Sequence, residues 1–217
     1  MCEVIDFRLL NRKDVFDLKY KYWSRIYEYP LVKHILEKLK DNDSPKIHNT
    51  CWGFEGVHVD FKNYLDEKYS NVLHSDIKKS NLKNTIVHDI TKELSSSYDD
   101  YFDFVINVST IEEINFPNDI ILNNLIKQTK KGGYIIITFD YRSDVSGYKY
   151  NSIDLKCIEN MFNTKLQTSD NDISGLNSEL PEERNKLLKC GVLILKKILI
   201  YTNEYQNHME YKIPKRG

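Results

Sequence analysis

The chain has 217 residues, 41% of them hydrophobic and 29% charged, which suits one α/β domain and is short for two. Its 31 Lys+Arg and 32 Asp+Glu leave a formal net charge of −1, removing the global electrostatic basis for nucleic-acid binding. No stretch reaches the roughly 20 apolar residues of a membrane span, and the acid-bearing N-terminus lacks the apolar run of a secretory leader. The four cysteines (Cys2, Cys51, Cys157, Cys190) and six histidines have neither C-x-x-C nor metal-ligand spacing. A reducing, cytoplasmic setting and no metal are expected. Alanine is absent and there are 8 glycines, so each glycine that does occur is informative.

In chain order, Leu31, Val32, Ile35, Leu36 and Leu39 recur at helical spacing, with Pro30 suited to the first turn of that helix. The run Asp41-Asn42-Asp43-Ser44-Pro45 ends it. A strand at 47–50 leads into Cys51-Trp52-Gly53-Phe54-Glu55-Gly56, and a short helix follows with Phe61, Tyr64 and Leu65 on one face. Residues 71–75 and 85–90 read as strands closing near Asp76 and Asp89, and 104–108 as a buried β-branched strand before a polar turn at Ser109 and Thr110. Ile121, Leu122, Leu125 and Ile126 mark a further helix, stopped by Lys130-Lys131-Gly132-Gly133. Residues 134–139 form the strongest strand pattern, uncharged until Asp140. Beyond it, Ile158, Met161 and Phe162 suggest a helix from about Ser152, and Pro181-Glu182-Glu183 a second helix start after the polar stretch 168–183. A late strand at 192–201 carries Lys196 and Lys197, which would discourage stray pairing at a sheet edge. Strands alternating with helices imply βαβ units and a three-layer, doubly wound, mostly parallel sheet.

In such a sheet the ligand sits beyond the carboxyl ends of the strands, where strand order reverses. Gly53 and Gly56 follow the first core strand, as a ligand-cradling turn requires. The dinucleotide form G-x-G-x-x-G is absent, because Cys51 stands two before Gly53, which disfavours a nicotinamide-dependent reductase. The ordered set Val87-His88-Asp89-Ile90-Thr91, Tyr101-Phe102-Asp103-Phe104-Val105-Ile106-Asn107, Ile111-Glu112-Glu113-Ile114 and Lys131-Gly132-Gly133-Tyr134-Ile135-Ile136-Ile137-Thr138 resembles the class I S-adenosylmethionine-dependent methyltransferases, over roughly 45–141.

That resemblance implies a seven-stranded sheet in a single domain over 1–217. It would have an N-terminal helical lid segment at 1–44, a Rossmann-like core at 45–205 and a tail at 206–217. It implies S-adenosylmethionine as cofactor, with Asn49, Thr50, Cys51, Trp52 and Gly53 wrapping its methionine part. Asp76 would take the ribose hydroxyls and Asp89 the adenine amino group, with Ile90 against the ring and Asn107 and Ser109 beside the sulfonium. Arg25, from an aromatic stretch that includes Tyr20, Tyr27 and Tyr29, would meet the cofactor carboxylate. The family's first motif has an acid where this chain has Asn49 and a glycine where it has Cys51, so the motif is degenerate here. An amide still offers a carbonyl acceptor but no charge.

Methyl transfer needs in-line positioning, and a hydroxyl acceptor profits from a general base. Glu113 and Asp140 are the candidates, each with a bland alternative: a carboxylate at a helix start for Glu113, and a self-paired loop cluster for Asp140. The turn Asn107-Val108-Ser109-Thr110 lacks the Pro-Pro-aromatic signature of nucleic-acid amino methyltransferases. The expectation is therefore a metal-free O-methyltransferase for a small molecule, a sugar or sugar nucleotide being the leading acceptor. A non-catalytic methyltransferase-like scaffold or binding subunit is the alternative.

Overall fold

The computed structural model describes residues 2–4, 17–20, 24–53, 56–141 and 189–198; the side chains of residues 3, 4, 18, 140, 141 and 189–191 are outside the described set. The helices expected after Ser152 and near Pro181, the polar stretch 168–183 and the tail 206–217 lie outside the described residues.

Among the described residues three α-helices and seven strands follow in the order β1 (Cys2–Val4), α1 (Arg25–Leu39), β2 (Lys46–Thr50), α2 (Val57–Lys68), β3 (Asn71–Asp76), β4 (Thr85–Val87), β5 (Phe102–Val108), α3 (Asn118–Gln128), β6 (Thr129–Tyr141) and β7 (Lys189–Lys197). The strands form one sheet in the order β1-β7-β6-β5-β2-β3-β4. Pairing is parallel from β6 through β5, β2 and β3 to β4, while β7 runs antiparallel to both β6 and β1. Six of the strands come from the core, and the seventh is the short N-terminal β1, in a segment expected to be a helical lid. Three residues carry no local strand signal of their own. Their pairing with β7, Cys2 opposite Lys197 and Val4 opposite Leu195, is a long-range event.

The doubly wound expectation holds because the central strands bury both faces, as parallel strands between helices must. On one face Phe104, Ile106, Ile136 and Ile194 pack with Ile35, Leu36, Phe61 and Leu65 of α1 and α2. On the other, Val105, Ile135, Ile137, Leu193 and Leu195 pack with Ile121, Leu122 and Leu125 of α3. The period-2 alternation of the strands thus sorts one β-branched sequence into two cores.

Two details correct the sequence reading. Helix α1 begins at Arg25, so Pro30 lies inside it rather than in its first turn. A proline there has no N–H for the carbonyl four residues back. That carbonyl, Ile26 O, instead accepts the backbone N–H of Asp17 at 3.2 Å, so the break in the ladder is closed by the chain preceding the helix. Second, β7 is not the sheet edge, and Lys197 is not an exposed edge charge. Its Nζ donates to the carbonyls of Ile126 (2.7 Å) and Thr129 (2.8 Å) and pairs with Asp100 (2.8 Å), capping the C-terminal end of α3.

Gly132 and Gly133 are not the stop of α3 that the sequence suggests: they lie inside β6, where its pairing with β5 shifts register between Phe102 and Phe104. Gly132 has φ +81, in the region that favours glycine. At Gly133 a Cβ would lie 2.8–3.0 Å from the backbone oxygens of Asp103, Lys130 and Phe102. Gly133→Ala is expected to cost about 1–3 kcal/mol, the usual penalty for forcing atoms into a packed site. An unchanged urea midpoint for that variant would contradict this packing.

Candidate functional site

Strand β2 has a parallel neighbour on each side, β3 and β5, and sequence order runs outward from it in both directions. The chain leaving β2 therefore opens a crevice at the carboxyl ends of the strands, the ordinary ligand position of an open α/β sheet. A cavity of about 450 Å³ occupies it, within the roughly 300–1,000 Å³ of small-molecule pockets. The expected residues Arg25, Asn49, Thr50, Cys51, Trp52, Gly53, Asp76, Asp89, Ile90, Ser109 and Glu113 all line it. Two expected residues are not brought there by a described side chain. Asn107 is fully buried behind the cavity wall, its Nδ2 donating to Thr50 Oγ1 (3.0 Å) while that hydroxyl donates to Ile106 O (2.8 Å), which ties β5 to β2 where the two residues are in register. Asp140 lies near the end of β6, and its side chain is outside the described set.

The loop after β2 keeps the backbone of a ligand-cradling turn in spite of its sequence. Cys51 takes φ +51 and Gly53 φ +71, so the left-handed conformation is imposed on a residue that adopts it only with strain. At Gly53 a Cβ would lie 2.8 Å from the His58 ring, so helix α2 and the loop meet without room for a side chain. Trp52 is not in the way of a ligand: it is 3% exposed and lies edge-on to His74, with ring centroids 6.1 Å apart. Burial first, then the charges of Asp76 and Asp89, push the Cys51 thiol up to about 12, so it is neutral.

The two acids at the ends of β3 and β4 are held by backbone and hydroxyl donors. Asp76 accepts the Gly53 N–H through Oδ2 (3.4 Å) and the Lys78 N–H through Oδ1 (3.1 Å), bridging the loops after β2 and β3. Asp89 accepts the hydroxyl (2.7 Å) and the N–H (3.0 Å) of Thr91, which hold its carboxyl below the usual range. Ile90 is buried beside it. Glu113 ends the 3-10 turn Ile111–Glu113 and is exposed at the cavity wall.

On the α1 side of the cavity Arg25 and Tyr29 come from the expected aromatic stretch, while the sequence reading assigned no role to Glu28 or His58. Glu28 is fully buried: its Oε2 pairs with Arg25 Nη1 at 2.5 Å and accepts the Ser24 hydroxyl at 2.7 Å, and its Oε1 accepts the Ser109 hydroxyl at 2.8 Å. Burial works against its ionisation, but the Arg25 guanidinium and those hydroxyls outweigh it and hold the carboxyl below its ordinary value of 4.5. Ser109, which ends β5 with φ +43, is thus fixed to α1 by its side chain and to β6 by its N–H, which donates to Thr138 O at 2.8 Å. Tyr29 stacks on Phe61 with centroids 4.1 Å apart, and its hydroxyl meets His58 Nδ1 at 2.5 Å. Burial, then the Arg25 charge, push His58 down to about 4, so the ring is neutral. The signal for Glu28 was helical spacing. It stands three positions after Arg25 and shares its face, which goes unseen when the helix is started at Pro30.

A depressed Glu28 contributes stability that is fully present above 4.5 and is lost as pH falls through its lower folded value. Glu28→Gln is expected to cost about 3 kcal/mol at pH 7, because the buried pair is broken. The gap to wild type should narrow in urea titrations below pH 4.5. A gap of equal size at pH 3 and pH 7 would contradict an ionised Glu28.

No family model matches the chain. A protein of Acanthamoeba polyphaga mimivirus that carries the name ankyrin repeat protein R784 is 26% identical over 129 residues, which are 48% of this chain and 29% of that protein. Ankyrin repeats are stacked helix pairs, whereas the described residues here form an open α/β sheet. Among solved structures, the [4+2]-cyclase SpnF superposes with TM-score 0.60 at 10% identity, covering 85% of this chain and 87% of its own. The phosphoethanolamine N-methyltransferase 2 of Haemonchus contortus, in complex with S-adenosyl-L-methionine, gives 0.53 at 13% identity over 88% of this chain and 61% of that one. A methyltransferase of Haloferax volcanii, in complex with the activator Trm112, gives 0.54 at 12% identity over 77% and 89%. With its order reversal at β2 and its antiparallel β7, the chain has the fold of the class I S-adenosylmethionine-dependent methyltransferases.

Proposed function

We propose that the chain is an S-adenosylmethionine-dependent methyltransferase acting on a hydroxyl of a small molecule, a sugar or sugar nucleotide being the acceptor class we favour. The observation that carries this reading is the convergence of Asp76, Asp89 and the Asn49–Gly53 loop on one cavity at the order reversal of the sheet. The residues present fit the cofactor. Asp76 and Asp89 offer acceptors suited to ribose hydroxyls and an adenine amine, Ile90 an apolar surface for the ring, and Gly53 a close backbone approach. Arg25, already oriented by Glu28, offers a guanidinium to the carboxylate end.

When bound, S-adenosylmethionine supplies a sulfonium methyl: the acceptor oxygen bonds to that carbon as the S–C bond breaks, and the electron pair goes to sulfur, leaving the neutral thioether. The protein's own work is to hold the acceptor in line and to take the hydroxyl proton. Glu113 or Asp140 is the base in this reading, and the Ser109 turn at the end of β5 borders the transferring carbon. A cytoplasmic setting belongs to the same reading and rests on cysteines without paired spacing.

A second reading, a non-catalytic methyltransferase-like binding subunit, draws support from the amide at Asn49 and the strained Cys51 in the first turn. SpnF, named as a cyclase, is a reminder that fold alone does not assign chemistry. Calorimetry separates the two. The enzyme reading expects binding of both S-adenosylmethionine and S-adenosylhomocysteine, with Asp76→Ala and Asp89→Ala each weakening it by about 1–3 kcal/mol. No measurable binding of either molecule would sink the enzyme reading, and unchanged affinity in both variants would remove the cofactor from this cavity. Given turnover on a hydroxyl acceptor, Glu113→Gln or Asp140→Asn is expected to lower its rate by about 100-fold or more.

A further inference from the structure

We propose that His74 is a positioning residue that fixes the Asn49 amide with its carbonyl toward the cavity, giving the ligand a neutral hydrogen-bond acceptor whose partner is the ammonium of the methyl donor's amino-acid end. The inference rests on the methyl-donor reading above.

Asn49 and His74 are register partners on the parallel strands β2 and β3, so their side chains are neighbours on one face of the sheet. Both are buried, Asn49 to 2% and His74 to 0% exposure. Asn49 Nδ2 lies 3.2 Å from His74 Nδ1, and His74 Nε2 lies 3.1 Å from Asp66 Oδ1 on α2. Asp66 also accepts from Lys62 Nζ at 2.5 Å and from Asn84 Nδ2 at 3.2 Å. Burial raises its pKa, but the bonds from Lys62 and His74 outweigh that and hold the carboxyl below its usual range.

The orientation then follows from donor and acceptor rules rather than from the appearance of the amide. An ionised carboxylate only accepts, so His74 Nε2 carries the hydrogen. Burial pushes His74 down to about 4, so at neutral pH the ring is uncharged and Nδ1 is a bare acceptor. A bare acceptor takes only the NH2 of Asn49, which sends the carbonyl oxygen to the other side. Asn49 lines the cavity, and that oxygen accepts no hydrogen bond from a described residue. An aspartate at this position would set two acceptors against each other unless the ring took a proton, so the asparagine and the neutral histidine are a matched pair. What is left facing the cavity accepts and carries no charge. An aliphatic ammonium, with its three donors, satisfies it, and Arg25 lines the same cavity for the accompanying carboxylate.

The test compares two probes, S-adenosylhomocysteine and 5′-methylthioadenosine, which share the nucleoside and differ in the amino-acid end. His74→Leu is expected to weaken S-adenosylhomocysteine by roughly tenfold or more, the scale of one hydrogen bond to a charged group, and to leave methylthioadenosine unchanged. In an Asn49→Leu background, His74→Leu should add nothing further, because His74 acts through Asn49. Equal losses for both probes, no loss for either, or additive losses in the double variant would overturn the proposal. If the wild type binds neither probe, the methyl-donor reading fails and this one with it; wild-type binding with any of the other adverse results overturns this one alone. A measurement that needs no variant is the histidine 15N NMR spectrum of the wild type. It is expected to show His74 protonated at Nε2 and bare at Nδ1, and the reverse tautomer would overturn the orientation.

Discussion

Strand β2 is held in parallel register by β3 on one side and β5 on the other, and the rest of the molecule follows from that sandwiching. Because the chain winds outward from β2 in both directions, helices must cover both faces, and the loops leaving β2, β3 and β5 must splay at one end of the sheet. The residues that carry chemistry are those at the splayed ends: Asn49 near the end of β2 and Cys51 just past it, Asp76 closing β3, and Ser109 just past β5. Polar links between neighbouring strands then hold the ends in place. Asn107 and Thr50 join β5 to β2, His74 and Asn49 join β3 to β2, and the Asp76 carboxylate reaches back to the Gly53 N–H. Strand-to-strand hydrogen bonds thus back a cavity whose lining comes mostly from the strand ends and the loops beyond them.

Helix α1 closes the remaining side by electrostatics as much as by packing. A fully buried carboxylate is costly unless it is paired and hydrogen-bonded. Glu28 meets that condition with Arg25, Ser24 and Ser109 together. The same bonds orient the guanidinium at the cavity and pin the strained turn that ends β5. Removing any one partner would therefore be felt at two places, the seating of α1 and the geometry of the Ser109 turn.

The central strands were readable because β-branched and aromatic runs such as Phe104-Val105-Ile106 and Ile135-Ile136-Ile137 have no stable home other than a sheet buried on both faces. Most of the candidate site was readable because acids and glycines at the ends of such strands fall at the crevice and because the ordered motifs resemble those of the class I methyltransferases. What escaped were features without a local signal. The start of α1 was hidden because Pro30 imitates a first helical turn, and its true place depends on Asp17 supplying the missing hydrogen bond. Strand β1 is three residues whose only reason to be extended is the edge of β7. Asn107 sits at the end of β5, where a site residue is expected, and is turned inward by its bond to Thr50.

By itself, then, the sequence determined the alternation of strands and helices, the apolar residues of both cores and the group of strand-end residues in the crevice, because hydrophobic periodicity and chain geometry act locally. The pairing partners were decided only in three dimensions. Which strand covers β7 and which way the Asn49 amide faces depend on residues 25 to nearly 200 positions apart or on the tautomer of a buried ring. The Arg25–Glu28 bond shows the same limit at short range: three residues separate the partners, yet Glu28 stays ionised in the interior because Ser109, from the far strand, completes its shell.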